Sequence, residues 1–255
     1  MKRRWWTRYW QISKRALRRT YLAFRGIRCA PQSESGDPPK STVPPCPLWF
    51  QAERDDQLPH VVVGLAEYYR FIISACKTHY IVGHGDIKTY HKRVFEKVVP
   101  LDYYAGNYRS LDSARPCLAQ DVHVDGVPGE TFSTVPDSMR DFSSELHDFV
   151  VRTDEYIQHP LSPTKRAQAI AQLAALAMGR FIRIHPFLNG NGRMVRMLVN
   201  YLFKRYGYAM PFKQAHIRPP ENEYAAASAA SMYPTPNFQP LYAYLLRLVA
   251  RAASS

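Results

Sequence analysis

Cysteine is scarce in this sequence of 255 residues, and a long apolar run is missing. None of the four cysteines forms a C-x-x-C pair, which argues against a disulfide framework or a zinc site and favours a reducing, cytoplasmic compartment. No stretch of about 18 uncharged apolar residues occurs, so we expect no membrane-spanning helix. The cysteines are Cys29, Cys46, Cys76 and Cys117.

Acidic residues are absent from residues 1–28, although ten Lys or Arg lie there. The formal net charge of the chain is +13, and removal of this segment leaves +3. The positive charge is therefore concentrated in an N-terminal arm. The high net charge of the whole chain therefore does not indicate that the remaining residues bind nucleic acid.

Apolar residues in the arm recur at helical spacing and predict a basic amphipathic helix within residues 1–29. Four interpretations stay open: packing on its own domain or a partner, contact with an anionic membrane surface through residues 1–28, contact with nucleic acid, and a non-native extension from an early start codon. Charges interrupt any signal-peptide core. The apolar stripe comprises Trp6, Trp10, Leu17, Tyr21, Phe24 and Ile27.

A proline-rich segment follows the arm. Residues 30–47 contain six prolines, which predicts an extended or disordered linker. The apolar fraction of 46% is ordinary for a globular protein, so the remaining chain can build a sizeable core. We therefore expect a compact domain over residues 48–255.

Most of that domain has helical periodicity. Val122 and Val124 instead alternate with polar neighbours and lead into Asp125-Gly126, a turn signal typical of a β-hairpin. Ser162 and Pro163 predict an N-cap and the first residue of another helix. The sequence thus predicts an all-α fold with one short hairpin. Helices are expected over residues 61–82, 87–99, 138–157, 163–184 and 239–252, and a further helix follows residues 185–192 with Met194, Met197, Leu198, Tyr201 and Leu202 facing inward.

The segment HPFLNGNGRMVR, residues 185–196, concentrates unusual residue types between two helices. Two glycines allow close approach of a phosphate to the backbone, and the N-terminus of the following helix carries a partial positive charge. Arg193 and Arg196 share one helix face, and guanidinium groups suit phosphate oxygens. His185 titrates near neutrality and can accept a proton. Together they suggest phosphoryl or nucleotidyl transfer to a hydroxyl.

Simpler interpretations exist for each part. A histidine before proline is often only a helix-end residue, Gly-Asn-Gly is often only a turn, and two arginines can form a solvated face. No G-K-[ST] follows the glycines, which excludes a P-loop. The combination at this spacing favours an anion site.

HPFLNGNGRMVR resembles the signature of the Fic domain family, H-P-F-x-[DE]-G-N-G-R-x-x-R. The upstream IKTYHKRVFEKVVPLDYYAGNYRS and the closing NFQPLYAYLL are also similar to the family, so the resemblance spans roughly residues 81–248. It implies a Fic-type helical bundle with a hairpin flap. It also implies a protein adenylyltransferase that moves AMP from ATP to a Ser, Thr or Tyr hydroxyl of a target protein.

The resemblance implies roles for individual residues. His185 would take the proton from the attacking hydroxyl. Arg193 and Arg196 would bind the outer phosphates of the nucleotide, and Phe187 would be a buried structural anchor. Phosphate oxygens would lie in an anion hole formed by Gly190, Asn191 and Gly192. The flap, residues 121–127, would hold the target segment by strand addition through Val122, His123 and Val124.

One position departs from the signature. The family has an acid that binds Mg²⁺ where this chain has Asn189, whose neutral carbonyl oxygen is a weaker ligand for a hard cation. Activity would then persist at a reduced rate with Mg²⁺ held largely by the phosphates, and Asn189→Asp would strengthen Mg²⁺ binding. Alternatives are another donor (UTP, GTP or phosphocholine) and a catalytically weak nucleotide-binding scaffold.

The family resemblance also leads to an expectation about how the protein is inhibited. Many Fic proteins carry an inhibitory helix with the pattern [ST]-x-x-x-E-[GN]. Only Glu221 is followed by Gly or Asn, and Ile217 stands where Ser or Thr is required. We therefore expect no inhibitory helix of this kind, and a small antitoxin-like protein is a candidate partner.

Overall fold

A computed structural model describes residues 46–49, 58–124, 127–220, 222–232 and 236–253. The predicted arm helix lies outside the described residues, as does the predicted linker apart from Cys46 and Pro47.

The described residues confirm the all-α prediction with one short hairpin. Residues 102–104 and 116–118 form two short 3₁₀ turns. Strands β1 (His123–Val124) and β2 (Val127–Pro128) pair antiparallel. The α-helices are α1 (Leu58–Lys77), α2 (His84–Phe95), α3 (Val135–Gln158), α4 (Pro163–Ile184), α5 (Asn191–Arg205), α6 (Asn222–Ala230) and α7 (Gln239–Ala253).

Helices α4 and α5 form the centre of the bundle. Helix α4 packs against α3, α5 and α7, and α5 also packs against α1. Side chains on every face of α5 are buried, as expected for a helix in the interior. The end of α4 and the start of α5 therefore meet inside the fold, where surrounding helices can support a polar loop.

Local signals explain the start of α4. The Ser162 hydroxyl accepts a hydrogen bond from the Lys165 N–H at 3.4 Å, and Pro163 is the first helical residue. This confirms the predicted N-cap.

Helix α1 ends five residues before its predicted boundary. His79 takes a left-handed conformation with φ 54°, and the Tyr80 N–H bonds back to the Ala75 carbonyl at 2.9 Å. This Schellman arrangement satisfies the last carbonyls of the helix. The apolar period continues to Val82, which is buried, but the backbone has already left the helix.

A disulfide joins Cys46 to Cys117 across 71 residues, with the Cα atoms 5.4 Å apart. The expectation that the cysteines form no disulfide was wrong. A missing C-x-x-C pair excludes only local arrangements, whereas this bond depends on distant segments that meet in the fold. Because disulfides persist in oxidising compartments, the cysteines no longer support a cytoplasmic location.

Among the described helices, none is both long and apolar enough to cross a membrane.

Candidate active site

His185 lies at the junction of α4 and α5 in a strained backbone conformation. It is the C-cap of α4, with φ 50° and ψ 59°, and its N–H bonds to the Phe181 carbonyl at 3.0 Å. A non-glycine residue in the left-handed region costs about 1–3 kcal/mol and is often found at functional sites. This geometry turns the chain sharply away from α4 and into the loop.

Phe187 anchors that loop in the core. Its side chain is fully buried and stacks on His91, with ring centroids 3.6 Å apart. The Gly106 N–H donates to His91 Nδ1 at 2.9 Å, so Nε2 carries the proton and donates to the Asn189 carbonyl at 3.0 Å. Burial lowers the pKa of His91 to about 3, which keeps the ring neutral. His91 thus fixes the loop on both sides of Leu188.

Asn191 braces the same turn with its side chain. Its Oδ1 accepts from the Phe187 N–H at 3.0 Å, and its Nδ2 donates to the Phe187 carbonyl at 2.8 Å. The amide is therefore occupied by the backbone and cannot contact a ligand as arranged. The backbone N–H groups of Asn191 and Gly192 open α5 and have no partner within the helix. They can bind an anion.

Gly190 precedes α5 where no other residue fits. Its φ is 82°, and a Cβ would lie 2.5 Å from the Phe95 ring and 3.0 Å from His91 Nε2. The glycine is thus required by both conformation and space.

Arg196 brings positive charge to this turn. It is 5% exposed, and its Nη1 lies 3.2 Å from where a Cβ on Gly192 would stand. Its Nε donates to the Ala215 carbonyl at 2.9 Å and its Nη1 to the Tyr224 hydroxyl at 3.4 Å. These two partners are uncharged, so they orient the guanidinium without neutralising it.

Arg193 adds a second positive charge beside Arg196. Its side chain is also largely buried, at 7% exposure. Burial, followed by the charges of Arg193 and Arg196, lowers the pKa of the neighbouring His216. The start of α5 is therefore positively charged, as the binding of an anion requires.

The His185 ring is neutral at pH 7. Burial, and then the charge of Arg109, lowers its pKa from 6.5 to about 4. The ring thus has a lone pair available to accept a proton near neutrality. Its Nδ1 is buried and makes no hydrogen bond of normal geometry among the described residues, although the Ile182 backbone lies close enough to favour the protonated ring and so to limit the fall in pKa. His185 is therefore held mainly through its backbone.

Comparison with known proteins identifies this arrangement. Residues 81–203 match the Fic/DOC family. This segment is a Fic domain.

Curated relatives resemble only part of the chain. A protein adenylyltransferase Fic of Nematostella vectensis is 29% identical over 148 residues, which cover 58% of this chain and 29% of the relative. A Fido domain-containing protein of Dictyostelium discoideum is 43% identical over 49 residues, covering 19% of this chain and 34% of that protein. The chain thus spans less than half the length of these relatives.

Solved structures share the fold. A Fic domain containing signaling protein from Bacteroides thetaiotaomicron has a TM-score of 0.51 and 22% identity, covering 78% of this chain and 69% of its own. Fic-1 from C. elegans also has a TM-score of 0.51, with 19% identity over 78% of this chain and 51% of that chain.

Arg109 connects the flap of the Fic domain to His185. It is fully buried, and its Nε donates to the His185 carbonyl at 2.9 Å. Its Nη2 donates to the carbonyls of Ile184 at 3.0 Å and Glu130 at 2.7 Å, and its Nη1 to that of Gln120 at 3.1 Å. One guanidinium therefore joins the end of α4 to both ends of the flap.

Sequence reasoning gave Arg109 no role, although it lies in the AGNYRS segment that resembles the family. The charge of Arg109 is balanced in part by the Asp121 carboxylate, whose Oδ1 lies 3.6 Å from Arg109 Nη1. The neighbouring residues Asn107, Ser110 and Asp112 are polar, so no local pattern marks Arg109 as a buried charge.

The flap itself is short and attached near His185. The Gly129 N–H donates to the Val122 carbonyl at 2.9 Å, and the Glu130 N–H donates to the Arg183 carbonyl at 3.2 Å. Gly129 packs so closely that a Cβ there would lie 3.0 Å from the His185 Cβ. Val122 is half-buried and His123 is exposed; the Val124 side chain lies outside the described atoms.

The Asn189 side chain does not fit a metal ligand as arranged. Its Oδ1 accepts from the Gly190 N–H, at 2.6 Å, and its Nδ2 donates to the Trp49 carbonyl at 2.9 Å. Across the described part of the chain, no group of three or more His, Cys, Asp or Glu could hold a metal ion. The loop between α4 and α5, residues 185–190 and here called the signature loop, therefore offers Mg²⁺ no charged ligand at this position.

Proposed function

We propose that this chain is a protein adenylyltransferase, which transfers AMP from ATP to a Ser, Thr or Tyr hydroxyl of a target protein. The main support is that three features meet where α4 ends and α5 begins. They are a neutral His185 ring, the backbone N–H groups of Asn191 and Gly192 that can bind an anion, and the Arg196 guanidinium beside Gly192. Adenylyltransferase relatives support the same activity.

The proposed chemistry uses His185 as a general base. The target hydroxyl gives its proton to the His185 ring while its oxygen forms a bond to the α-phosphorus of ATP. The bond between the α-phosphorus and the bridging oxygen breaks, and pyrophosphate leaves with the electron pair. Arg193 and Arg196 bind the outer phosphates, and backbone N–H groups of Asn191 and Gly192 stabilise charge that develops on phosphate oxygens.

Asn189 gives the signature loop a neutral amide where a carboxylate would be the stronger ligand for Mg²⁺. A Mg²⁺ ion that enters with ATP would depend on phosphate oxygens for its charged ligands.

The test is transfer of label from α-labelled ATP to the protein itself or to lysate proteins. We expect His185→Ala to lower transfer by about 10²–10⁴-fold, the usual contribution of a general base, with nucleotide affinity retained. His60→Ala, on the exposed side of α1, is the matched control. Equal labelling by wild type and His185→Ala would show that His185 is structural.

The donor is the next question. UTP, GTP and a phosphocholine donor are alternatives to ATP, since nothing in the phosphate-binding residues reads a base. Competition of each unlabelled donor against labelled ATP, at equal concentrations, distinguishes them.

A second candidate function is a nucleotide-binding scaffold with weak or no catalysis. It is favoured by the occupied Asn189 amide, because a metal-assisted transfer would lack a ligand. Nucleotide binding at micromolar concentrations without label transfer to any protein would support the scaffold over the enzyme.

The flap gives the target protein a specific edge. Val124 pairs with Val127, and Gly129 bonds to Val122, so the N–H and C=O of His123 point away from β2. Pro128 has no N–H on the opposite edge. A target strand would therefore add to β1 at His123.

Other partners complete the proposal. Because Ile217 breaks the inhibitory pattern before Glu221, either a small antitoxin-like protein would restrain the enzyme or weak chemistry would. Residues 1–28 would contact an anionic membrane surface, which binding to phosphatidylserine vesicles at increasing salt can test.

A further inference from the structure

Residues 46–49, here called the strap, are fixed to the Fic domain although they precede the family match. Cys46 is bonded to Cys117, and the Tyr104 hydroxyl donates to the Pro47 carbonyl at 3.0 Å. Tyr104 and Cys117 are themselves buried in a small apolar cluster beside the main core. The end of the predicted linker is therefore anchored covalently and by packing.

The last residue of the strap contacts the signature loop. The Trp49 ring packs edge-on against His91 and Phe95, with centroids 5.9 and 5.5 Å away. Its carbonyl accepts the hydrogen bond from Asn189 Nδ2. The same His91 bonds to the Asn189 carbonyl, so one residue of the loop is held from both sides.

The residue type at position 189 matters for this contact. An amide can accept from the Gly190 N–H and donate to the Trp49 carbonyl at the same time. A carboxylate has no proton to donate and would set two oxygens against each other at 2.9 Å. The departure from the family acid thus matches the presence of the strap.

We propose that Asn189 is a positioning residue that docks the strap on the signature loop, and that it does not ligate a metal. The disulfide keeps the Trp49 carbonyl beside Asn189, and the strap in turn holds the turn that opens α5. The effect on nucleotide transfer rests on the proposed function, but the docking does not.

The consequence for the site is preorganisation. Positioning of the backbone N–H groups at the start of α5 determines how well they meet phosphate oxygens. With the strap docked, the loop is held without help from a bound cation. The Asn189→Asp change should therefore loosen the loop. The family pattern predicts instead that this change strengthens Mg²⁺ binding.

Hydrogen exchange of the full-length protein without nucleotide tests the docking directly. We expect Asn189→Asp to speed exchange about tenfold in peptides covering residues 46–49 and 187–192, which corresponds to one lost hydrogen bond. Cys46→Ser should speed exchange in the same peptides, whereas Cys76→Ser should not, since Cys76 is a free cysteine on α1.

Asn107→Asp is the matched control. Asn107 also donates its amide to a backbone carbonyl, that of Tyr103 at 3.0 Å, and its Oδ1 accepts from Arg115, so its side-chain hydrogen bonds go neither to the strap nor to the signature loop. It should leave residues 187–192 unchanged. If Asn189→Asp exchanges like wild type in both peptides, the docking is overturned.

A Mg²⁺ titration of ATP binding gives the second readout. We expect added Mg²⁺ to change the ATP affinity of Asn189→Asp no more than it changes that of the wild type. A gain in the variant that exceeds the wild-type gain tenfold or more would make position 189 a metal site and overturn the proposal. If the wild-type protein transfers no label but the exchange results are as expected, only the proposed enzyme activity is rejected, and the docking proposal stands.

Discussion

The signature loop and the flap lie side by side but are built differently. In the loop, Phe187 is fully buried and the Asn191 amide is bonded at both ends. The flap has two strands of two residues, and its His123 is exposed. The loop is thus preorganised by the core, while the flap depends on a few attachments at its base. Rigid support suits phosphate binding, and an exposed edge suits target segments of varied sequence.

Gly190→Ala should have the largest effect, because it breaks the packing that makes the loop rigid. The φ of 82° costs about 1 kcal/mol for alanine, and overlap with the Phe95 ring adds about 1–3 kcal/mol. We expect the free energy of unfolding to fall by about 2–4 kcal/mol, measured by urea denaturation.

Gly207→Ala separates the two causes. Gly207 has a similar φ of 84°, but a Cβ there would meet nothing within 4 Å. Its loss of stability should stay near 1 kcal/mol. Equal losses in the two variants would mean that the loop yields to the added methyl group and is less rigid than the packing indicates.

The same contrast separates what the sequence predicts from what it does not. Periodicity predicted the two central helices, and Ser162 with Pro163 predicted where α4 begins, because these signals act within a few residues. The Cys46–Cys117 bond joins residues 71 apart and leaves no local pattern. The link from Trp49 to Asn189 is equally distant, so only the fold reveals it.

In the candidate site, too, the sequence predicts some features and misses others. The signature implied that Asn191 belongs to an anion hole, but it did not show that the Asn191 side chain is bonded to the Phe187 backbone, which leaves only its backbone N–H for a ligand. Arg109 was missed because its partners are backbone carbonyls, which no residue pattern identifies.

Arg109 allows a test of the electrostatics that link the flap to the loop. Its charge contributes, after burial, to the lowered pKa of His185. A nearby cation disfavours the protonated imidazole, so its removal raises that pKa. We expect Arg109→Gln to shift the acid limb of kcat/KM to higher pH, whereas wild type stays flat between about pH 6 and 8.

Arg109→Lys is the control for this shift, since it keeps the charge while losing most of the hydrogen bonds. Both variants should be less stable, but only the Gln variant should move the acid limb. Equal movement in both would assign the effect to a displaced loop, and the charge of Arg109 would then have no direct influence on His185.

The flap should give the smallest effect and the most selective one. His123→Pro removes the outward N–H of β1 without removing a bond within the hairpin, because His123 and Pro128 face each other as a pair that exchanges no backbone hydrogen bonds. One lost backbone hydrogen bond costs about 1 kcal/mol, so we expect roughly a fivefold rise in KM for a protein target. ATP affinity should not change, since the proposed nucleotide contacts lie at the start of α5. His123→Ala keeps the N–H and should leave KM at the wild-type value. An equal rise in both variants would show that the target reads the imidazole and does not add as a strand.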